Sequence, residues 1–275
     1  MTKTAHLFAE LDGHLVDLLE SLTGDEWTAR TVAARWNVHQ VAAHMLDTGL
    51  RRLSMCRDGW VLPGPAIRSE QDLVDRVNRL NAEGVEFYGR LSPPVLVSLT
   101  RAMVPQLSQY LLSLDPMADA AFAVSWAGET RSANWFDVAR EFTERWHHQQ
   151  QIRLAVGQPG ILTPRFYPPV IETFLHALPH AYRIVEAPDG TVCRVVVPGE
   201  SGGTWHLARR ANAWALNFDA PVDDAAVASV TTLPAEIAWR LFTKGIAAHE
   251  ARAHVTIEGD AHLGAAVLSA VAIVG

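Results

Sequence analysis

The sequence predicts a helical bundle followed by a small α+β domain, the two meeting near residue 185. Two observations carry that division. Through the first two-thirds of the chain, apolar residues recur at helical spacing, as with Leu7, Leu11, Leu15, Leu18 and Leu19 in "TAHLFAELDGHLVDLLESLT". Beyond "RIVEAPDG" the pattern changes to short β-branched runs separated by turn residues. At 275 residues the chain is long enough to bury a sizeable core in either arrangement.

The elements follow in order. A second helix is expected over residues 38–56, with Asn37 as its N-cap and Gly59 beyond its end. A third covers residues 69–88, with Val74, Val77 and Leu80 at three-residue steps. Pro93 and Pro94 interrupt it, and "VLVSLTRAMVPQLSQYLLSL" resumes with a kink or break expected at Pro105. The fourth, residues 135–156, is stopped by Gly157 and Pro159, and one more helix spans 168–181. Then come four strand-like runs, "TVCRVVV", "GTWHLAR", "AWALNF" and "VASVTT". A helix ("LPAEIAWRLFTKGI"), a strand ("AHVTIEG") and a closing apolar helix ("AHLGAAVLSAVAIVG") complete the chain. The expected domains are residues 1–184 and 185–275.

Composition narrows the function. With 49% hydrophobic and 19% charged residues the chain reads as a soluble globular protein. A net charge of −7 argues against nucleic acid as a partner, because phosphate binding needs clustered Lys and Arg. No run approaches the ~18 apolar residues of a membrane helix, and "MTKTAHLFAELDGHL" lacks a signal-peptide apolar region, so a cytoplasmic protein is expected. Cys56 and Cys193 fit no metal or redox spacing and read as free, packed thiols.

The chemistry concentrates in "NWFDVAREFTERWHHQQQIRLAVG". At 100° per residue Glu141, Glu144, His148 and Gln151 share one stripe, while Val138, Phe142, Trp146 and Trp135 belong to inward positions. A buried carboxylate needs a partner or a metal, and Glu-x-x-x-His presents two ligands on one helix face. His44, three residues after Val41 and beside Met45, is the candidate third ligand. His39 is expected on the exposed side. His147, about 100° from His148, is not expected to share an ion with it. Spacing alone leaves two readings open: a metal set, or a helix-surface pair together with a core histidine.

Those segments resemble a known family. "WNVHQVAAHMLDTGLRRL" is similar to the second-helix segment of the DinB-like metalloprotein superfamily, and "EFTERWHHQQQIRLAVG" to the E-x-W-x-H-x-x-x-I/L-R segment of its mycothiol-dependent maleylpyruvate isomerase branch. "AWRLFTKGIAAHEARAHVTIEGDAHLGAAVLSAVAIVG" resembles that branch's appended, sterol-carrier-protein-like domain, so the likeness covers nearly the whole chain. The resemblance implies a DinB-like four-helix bundle with His44, Glu144 and His148 as metal ligands. It also implies mycothiol as thiol cofactor in an actinobacterial-type thiol pool, and isomerase or thiol-transferase activity on a small, maleylpyruvate-like electrophile. The sequence departs from the pattern at His147, where an apolar or small residue is common, and at "HHQQQ", which replaces an acidic residue often seen after the ligand histidine.

Two imidazoles and one carboxylate leave open positions on a divalent ion, as a catalytic site requires. Zinc is the first expectation, with nickel or iron also compatible, and such an ion favours the thiolate of a bound thiol. In the family reading the C-terminal domain contributes an arginine, for which Arg240 is the candidate, and Asp47 is either an orienter of the His44 imidazole or a solvated residue. The competing functions are a non-catalytic metal- or ligand-binding regulatory protein and a hydrolase using metal-bound water. The partners expected are a small-molecule substrate and a low-molecular-weight thiol, in a monomer or homodimer. "GESGG" satisfies G-x-S-x-G, but the strand-like run after it predicts a hairpin turn rather than a nucleophile elbow. The histidines of "HEARAH" are five apart, not the four of a zincin helix.

Overall fold

The computed structural model describes residues 3–33, 35–61, 64–217 and 222–274. Five long helices come first: α1 (Phe8–Ser21), α2 (Val38–Arg52), α3 (Glu70–Tyr88), α4 (Pro93–Ser113) and α5 (Asn134–Ala155). Helix α2 packs against α3, α4 and α5, and α1 against α4 and α5. The short helices α6 (Tyr167–Leu175) and α7 (Leu178–Ala181) follow. The chain then forms β1 (Val192–Val197), β2 (Gly203–Arg210), β3 (Ala213–Asn217) and β4 (Val227–Thr232), then helices α8 (Ala235–Phe242) and α9 (Ala248–Ala251). Strand β5 (Thr256–Gly259) and helix α10 (Ala261–Ala265) close it. The sheet order is β3-β2-β1-β4-β5, antiparallel throughout except for the parallel β1/β4 pair. This is the helical-then-α+β class that the change of pattern near residue 185 predicts.

Local chemistry explains most boundaries. Asn37 caps α2 with a reciprocal box: its Oδ1 accepts from the Gln40 N–H at 2.9 Å, and Gln40 Oε1 accepts from the Asn37 N–H at 3.0 Å. Helix α5 ends at Gly157, whose φ of +67° is the left-handed geometry that glycine adopts without strain. "GESGG" is the β1–β2 turn, closed by the Gly202 N–H to the Gly199 carbonyl at 3.0 Å, as its flanking alternation predicts.

Other expectations need correction. Pro93 and Pro94 do not interrupt a helix; they occupy the first turn of α4, where a missing N–H costs nothing. Pro105 does not break α4, which runs through it to Ser113. The helix expected over 168–181 divides into α6 and α7, with Pro179 in the first turn of the second. The closing helix is short, ending in a 3-10 turn at Ala266–Ser269. Phe218 and Gly275, at the ends of two expected elements, lie outside the described residues.

Apolar packing is continuous between the helices and the sheet region. Trp146 of α5 meets Trp239 of α8 with ring centroids 6.0 Å apart, and Phe174 of α6 meets Phe242 at 5.8 Å. The Tyr182 hydroxyl donates to the Leu263 carbonyl at 2.6 Å, and that of Tyr167 to the Ala235 carbonyl at 3.1 Å. Cys193 is buried and Cys56 half-buried, both as free thiols. Among the described residues no helix is long and apolar enough to cross a membrane.

Candidate metal centre and its cavity

The capping box sets the register of α2. Val38, Val41 and Leu46 enter the core, while His44, Thr48 and Arg51 fall along the side that faces α5 across a cavity of about 280 Å³. From α5 the same cavity receives Glu141, Glu144 and His148, spaced three and four apart. The structure thus brings together the three residues that the sequence singles out. The His44 and His148 rings are 4.7 Å apart between centroids, and Glu144 Oε2 is 3.7 Å from His148 Nε2. Trp36 lies against the pair, its ring centroid 4.6 Å from that of His44.

The tautomers follow from the hydrogen bonds. His148 Nδ1 is 2.9 Å from Gln151 Oε1; with the amide oxygen as acceptor, Nδ1 carries the proton and Nε2 presents its lone pair toward Glu144. His44 Nδ1 is buried with no hydrogen-bond partner. Burial, reinforced by its neighbour His147, brings the His148 pKa down to about 3, and burial also pushes His44 well below the usual imidazole range. Both are therefore neutral at pH 7, the form that binds metals. Burial pushes the Glu144 carboxyl up, which a nearby cation would reverse. A half-buried carboxylate, the His148 lone pair turned toward it and an orphaned nitrogen on His44 form a donor set suited to a divalent ion.

His147 belongs to the same cluster. Its Nδ1 donates to the Thr143 carbonyl at 2.9 Å, and its Nε2 is 4.0 Å from Glu144 Oε2. The donor atoms of Glu144, His147 and His148 all lie within 4.8 Å of one another. The 100° separation of neighbouring helix positions describes Cβ directions, and an imidazole is long enough to swing back across it.

Asp47 is not an orienter of His44; it pairs with Arg51 Nε at 2.7 Å. The α2–α3 approach there is so close that a Cβ on Gly84 would lie 2.2 Å from an Asp47 oxygen. Arg240 is not among the cavity residues; its Nε donates to the Glu236 carbonyl of its own helix at 2.8 Å. His39 is half-buried rather than exposed, with Nε2 bonded to the Leu91 carbonyl at 2.9 Å. His249 and His254 are exposed and build no cluster.

The cavity's cations come instead from the bundle: Arg51, Arg52, Arg76, Arg140 and Arg145. Arg52 and Arg140 share Asp137, and Arg145 Nε bonds Asp12 at 2.6 Å. Burial pushes the Asp137 carboxyl up, but Arg140 and Arg52 outweigh it and hold it below its ordinary value. Arg52 Nε and Nη1 and Arg145 Nη2 are buried without partners. The sequence carried a signal for these arginines: Arg51 lies seven residues after His44, and Arg140 four before Glu144, each on its ligand candidate's face.

Together these features describe a class: a helical bundle with an arginine-lined cavity and, between its helices, a His/Glu cluster that could hold a metal ion. Residues 8–153 match the family described as mycothiol maleylpyruvate isomerase N-terminal domain, and the chain belongs to that family of isomerases. Two solved structures share the fold: a single-site mutant of the mycothiol-dependent maleylpyruvate isomerase (13% identity, TM-score 0.54, covering 93% of this chain and 92% of that one) and a second crystal structure of the mycothiol-dependent maleylpyruvate isomerase (12%, 0.53, 86% of each). No curated protein matches the chain.

Proposed function

We propose that this chain is a metal-dependent isomerase that uses a low-molecular-weight thiol of the mycothiol type on a small anionic electrophile such as maleylpyruvate. The observation that carries the reading is that His44 of α2 and Glu144 and His148 of α5 line one cavity, the two imidazoles 4.7 Å apart between ring centroids, and that the cavity's other polar groups are predominantly guanidinium. Family membership supports the thiol and the reaction class. In this reading the bundle is a domain of residues 1–184, and residues 185–275 form a second domain packed against it.

The three residues would hold a divalent ion, zinc by donor type with nickel or iron compatible, which when bound favours thiolate over thiol and polarises a carbonyl. The thiol, when bound, supplies reversible addition to a conjugated double bond, so that a cis alkene can return as trans with the thiol regenerated. The chain's own residues do the rest. Arg52 and Arg145 carry guanidinium N–H groups without partners, and a substrate carboxylate would satisfy them. Their ion pairs with Asp137 and Asp12 fix the guanidinium planes before any ligand arrives. Trp36, Phe122 and Trp126 border the site and limit water, which strengthens each of these interactions.

The test is cis-to-trans isomerisation of maleylpyruvate followed by NMR, with and without mycothiol, on zinc-loaded and chelator-treated protein. Turnover that needs both supports the reading. Turnover in metal alone, or hydrolysis in place of isomerisation, overturns the thiol role, and full activity after complete metal removal overturns the metal role.

A further inference from the structure

We propose that His147 is a fourth protein ligand of this metal site, so that helix α5 alone supplies three donors and can retain the ion without His44. The inference rests on the metal reading above and goes beyond it, because that reading needs only one histidine from α5.

The geometry favours His147 on three counts. Its Nδ1–H is committed to the Thr143 carbonyl at 2.9 Å, which fixes the tautomer and leaves Nε2 as a lone-pair donor. That nitrogen faces Glu144 Oε2 at 4.0 Å, and His148 Nε2 approaches the same oxygen at 3.7 Å. A tetrahedral ion with bonds of about 2.0–2.1 Å holds its ligand atoms about 3.3 Å apart, so both gaps close by under about 1 Å. Among the described residues, the His/Cys/Asp/Glu group whose donor atoms all lie within 4.8 Å of one another is Glu144, His147 and His148. His44 stands at its edge, with its ring beside His148 and its Nδ1 unpartnered.

Packing alone does not account for this side chain. His147 is 2% exposed, and an apolar side chain would fill the volume without burying a ring nitrogen. One imidazole nitrogen is satisfied by the backbone of its own helix, and the hydrogen bond aims the other at a carboxylate. That is the orientation a ligating imidazole receives from a partner on its far nitrogen.

The consequence is an ion held by four protein groups, closed in the resting state. A thiol or substrate would then have to share an ion already held by four protein groups, which a site with three protein ligands would not require.

The experiment uses the full chain loaded with zinc and reads metal, not turnover. X-ray absorption should fit three imidazoles in the wild type and two in His147→Gln, which keeps a donor for the Thr143 carbonyl, and in His147→Phe. Competition with a chromophoric chelator should show zinc affinity falling at least tenfold in both variants. His44→Ala should retain about one zinc per chain, and the double variant His44→Ala/His147→Gln should lose it. If the wild type fits two imidazoles, both His147 variants bind as tightly as it does and His44→Ala alone empties the site, the three-ligand reading stands and His147 is packing. A wild type that takes up no zinc overturns both. Should His147→Phe fail to fold, the wild-type spectrum and the glutamine variant still decide.

Discussion

Helices α5 and α8 touch through Trp146 and Trp239, and they are built by opposite rules. Helix α8 buries Ile237, Ala238, Trp239, Leu241 and Phe242, all apolar, and turns Glu236 outward. Helix α5 buries Asp137, Glu141, Arg145, His147, His148, Gln149, Gln150 and Gln151 beside its aromatic residues. Several of these polar groups are satisfied by another part of the chain: Gln149 Nε2 donates to the Leu11 carbonyl at 2.9 Å, and Gln150 Oε1 accepts from the Ile161 N–H at 2.8 Å. A helix needs only the α8 pattern to pack stably. The α5 pattern adds desolvation cost and depends on distant partners, so it signals a helix selected for what its side chains hold.

The largest effect expected from that contrast comes from separating the buried pair Asp12–Arg145. Asp12→Ala leaves a guanidinium uncompensated in the interior and should destabilise the fold by about 3–5 kcal/mol in urea denaturation. Trp239→Ala on α8 should cost a similar ~3–5 kcal/mol by opening a cavity. The two differ in rescue. Asp12→Leu combined with Arg145→Met should return close to wild-type stability while losing one of the cavity's five guanidinium groups and lowering turnover. If the paired replacement remains as unstable as Asp12→Ala, the polar interior of α5 is contributing stability and the contrast fails.

The second effect is an acid sensitivity that α5 has and α8 lacks. Burial brings the His147 pKa to about 4 and, with its neighbour, that of His148 to about 3, against 6.5 for an ordinary imidazole. The unfolded chain therefore binds more protons than the folded one as pH falls below 6.5. Stability is full above that value and is lost on acidification until the folded-state pKa is reached. For His147 alone the loss by pH 4 is about 3 kcal/mol. In metal-free protein, urea midpoints measured from pH 7.5 to 4.5 should fall, and His147→Phe should flatten the lower part of the curve. A mutation in α8 should instead displace the whole curve without changing its slope. Parallel curves for wild type and His147→Phe would remove the basis for the comparison.

What the sequence revealed, and what it hid, divides along the same line. Features set by neighbours along the chain were legible: the Asn37 cap, the stop at Gly157, the Gly199–Gly202 turn, and the inward stripe from Val138 to Trp146. Spacing made His44 and His148 candidates and left their meeting open; the family resemblance joined them as a set, and their rings lie 4.7 Å apart between centroids. Features that depend on side-chain reach or distant pairing were not legible. His147 turns toward Glu144 through a hydrogen bond to Thr143 that no helical wheel contains. Arg145 is placed by Asp12, 133 residues away, and Asp47 is drawn to Arg51 rather than to His44. The arginine expected from the C-terminal half, Arg240, is held by its own helix, while among the described residues Val274 is the one from that half that lines the cavity.

The smallest effect tests whether α8 has any polar dependence of its own. Its side-chain hydrogen bond to a buried group is local: Trp239 Nε1 donates to Glu236 Oε2 at 3.0 Å, one turn back. Glu236→Leu leaves the indole N–H of the fully buried Trp239 without its acceptor and should cost about 1–3 kcal/mol. Glu236→Gln keeps an acceptor oxygen and should stay within about 0.5 kcal/mol of wild type. Glu236 is exposed and does not line the cavity, so isomerisation with thiol and metal should be unchanged in both. A cost above about 3 kcal/mol in Glu236→Leu, as for the buried pair of α5, would mean that α8 too is organised around a polar group. A loss of turnover at unchanged stability would show instead that α8 acts on the site through Trp239 and Trp146, and the division of labour between the two helices would have to be redrawn.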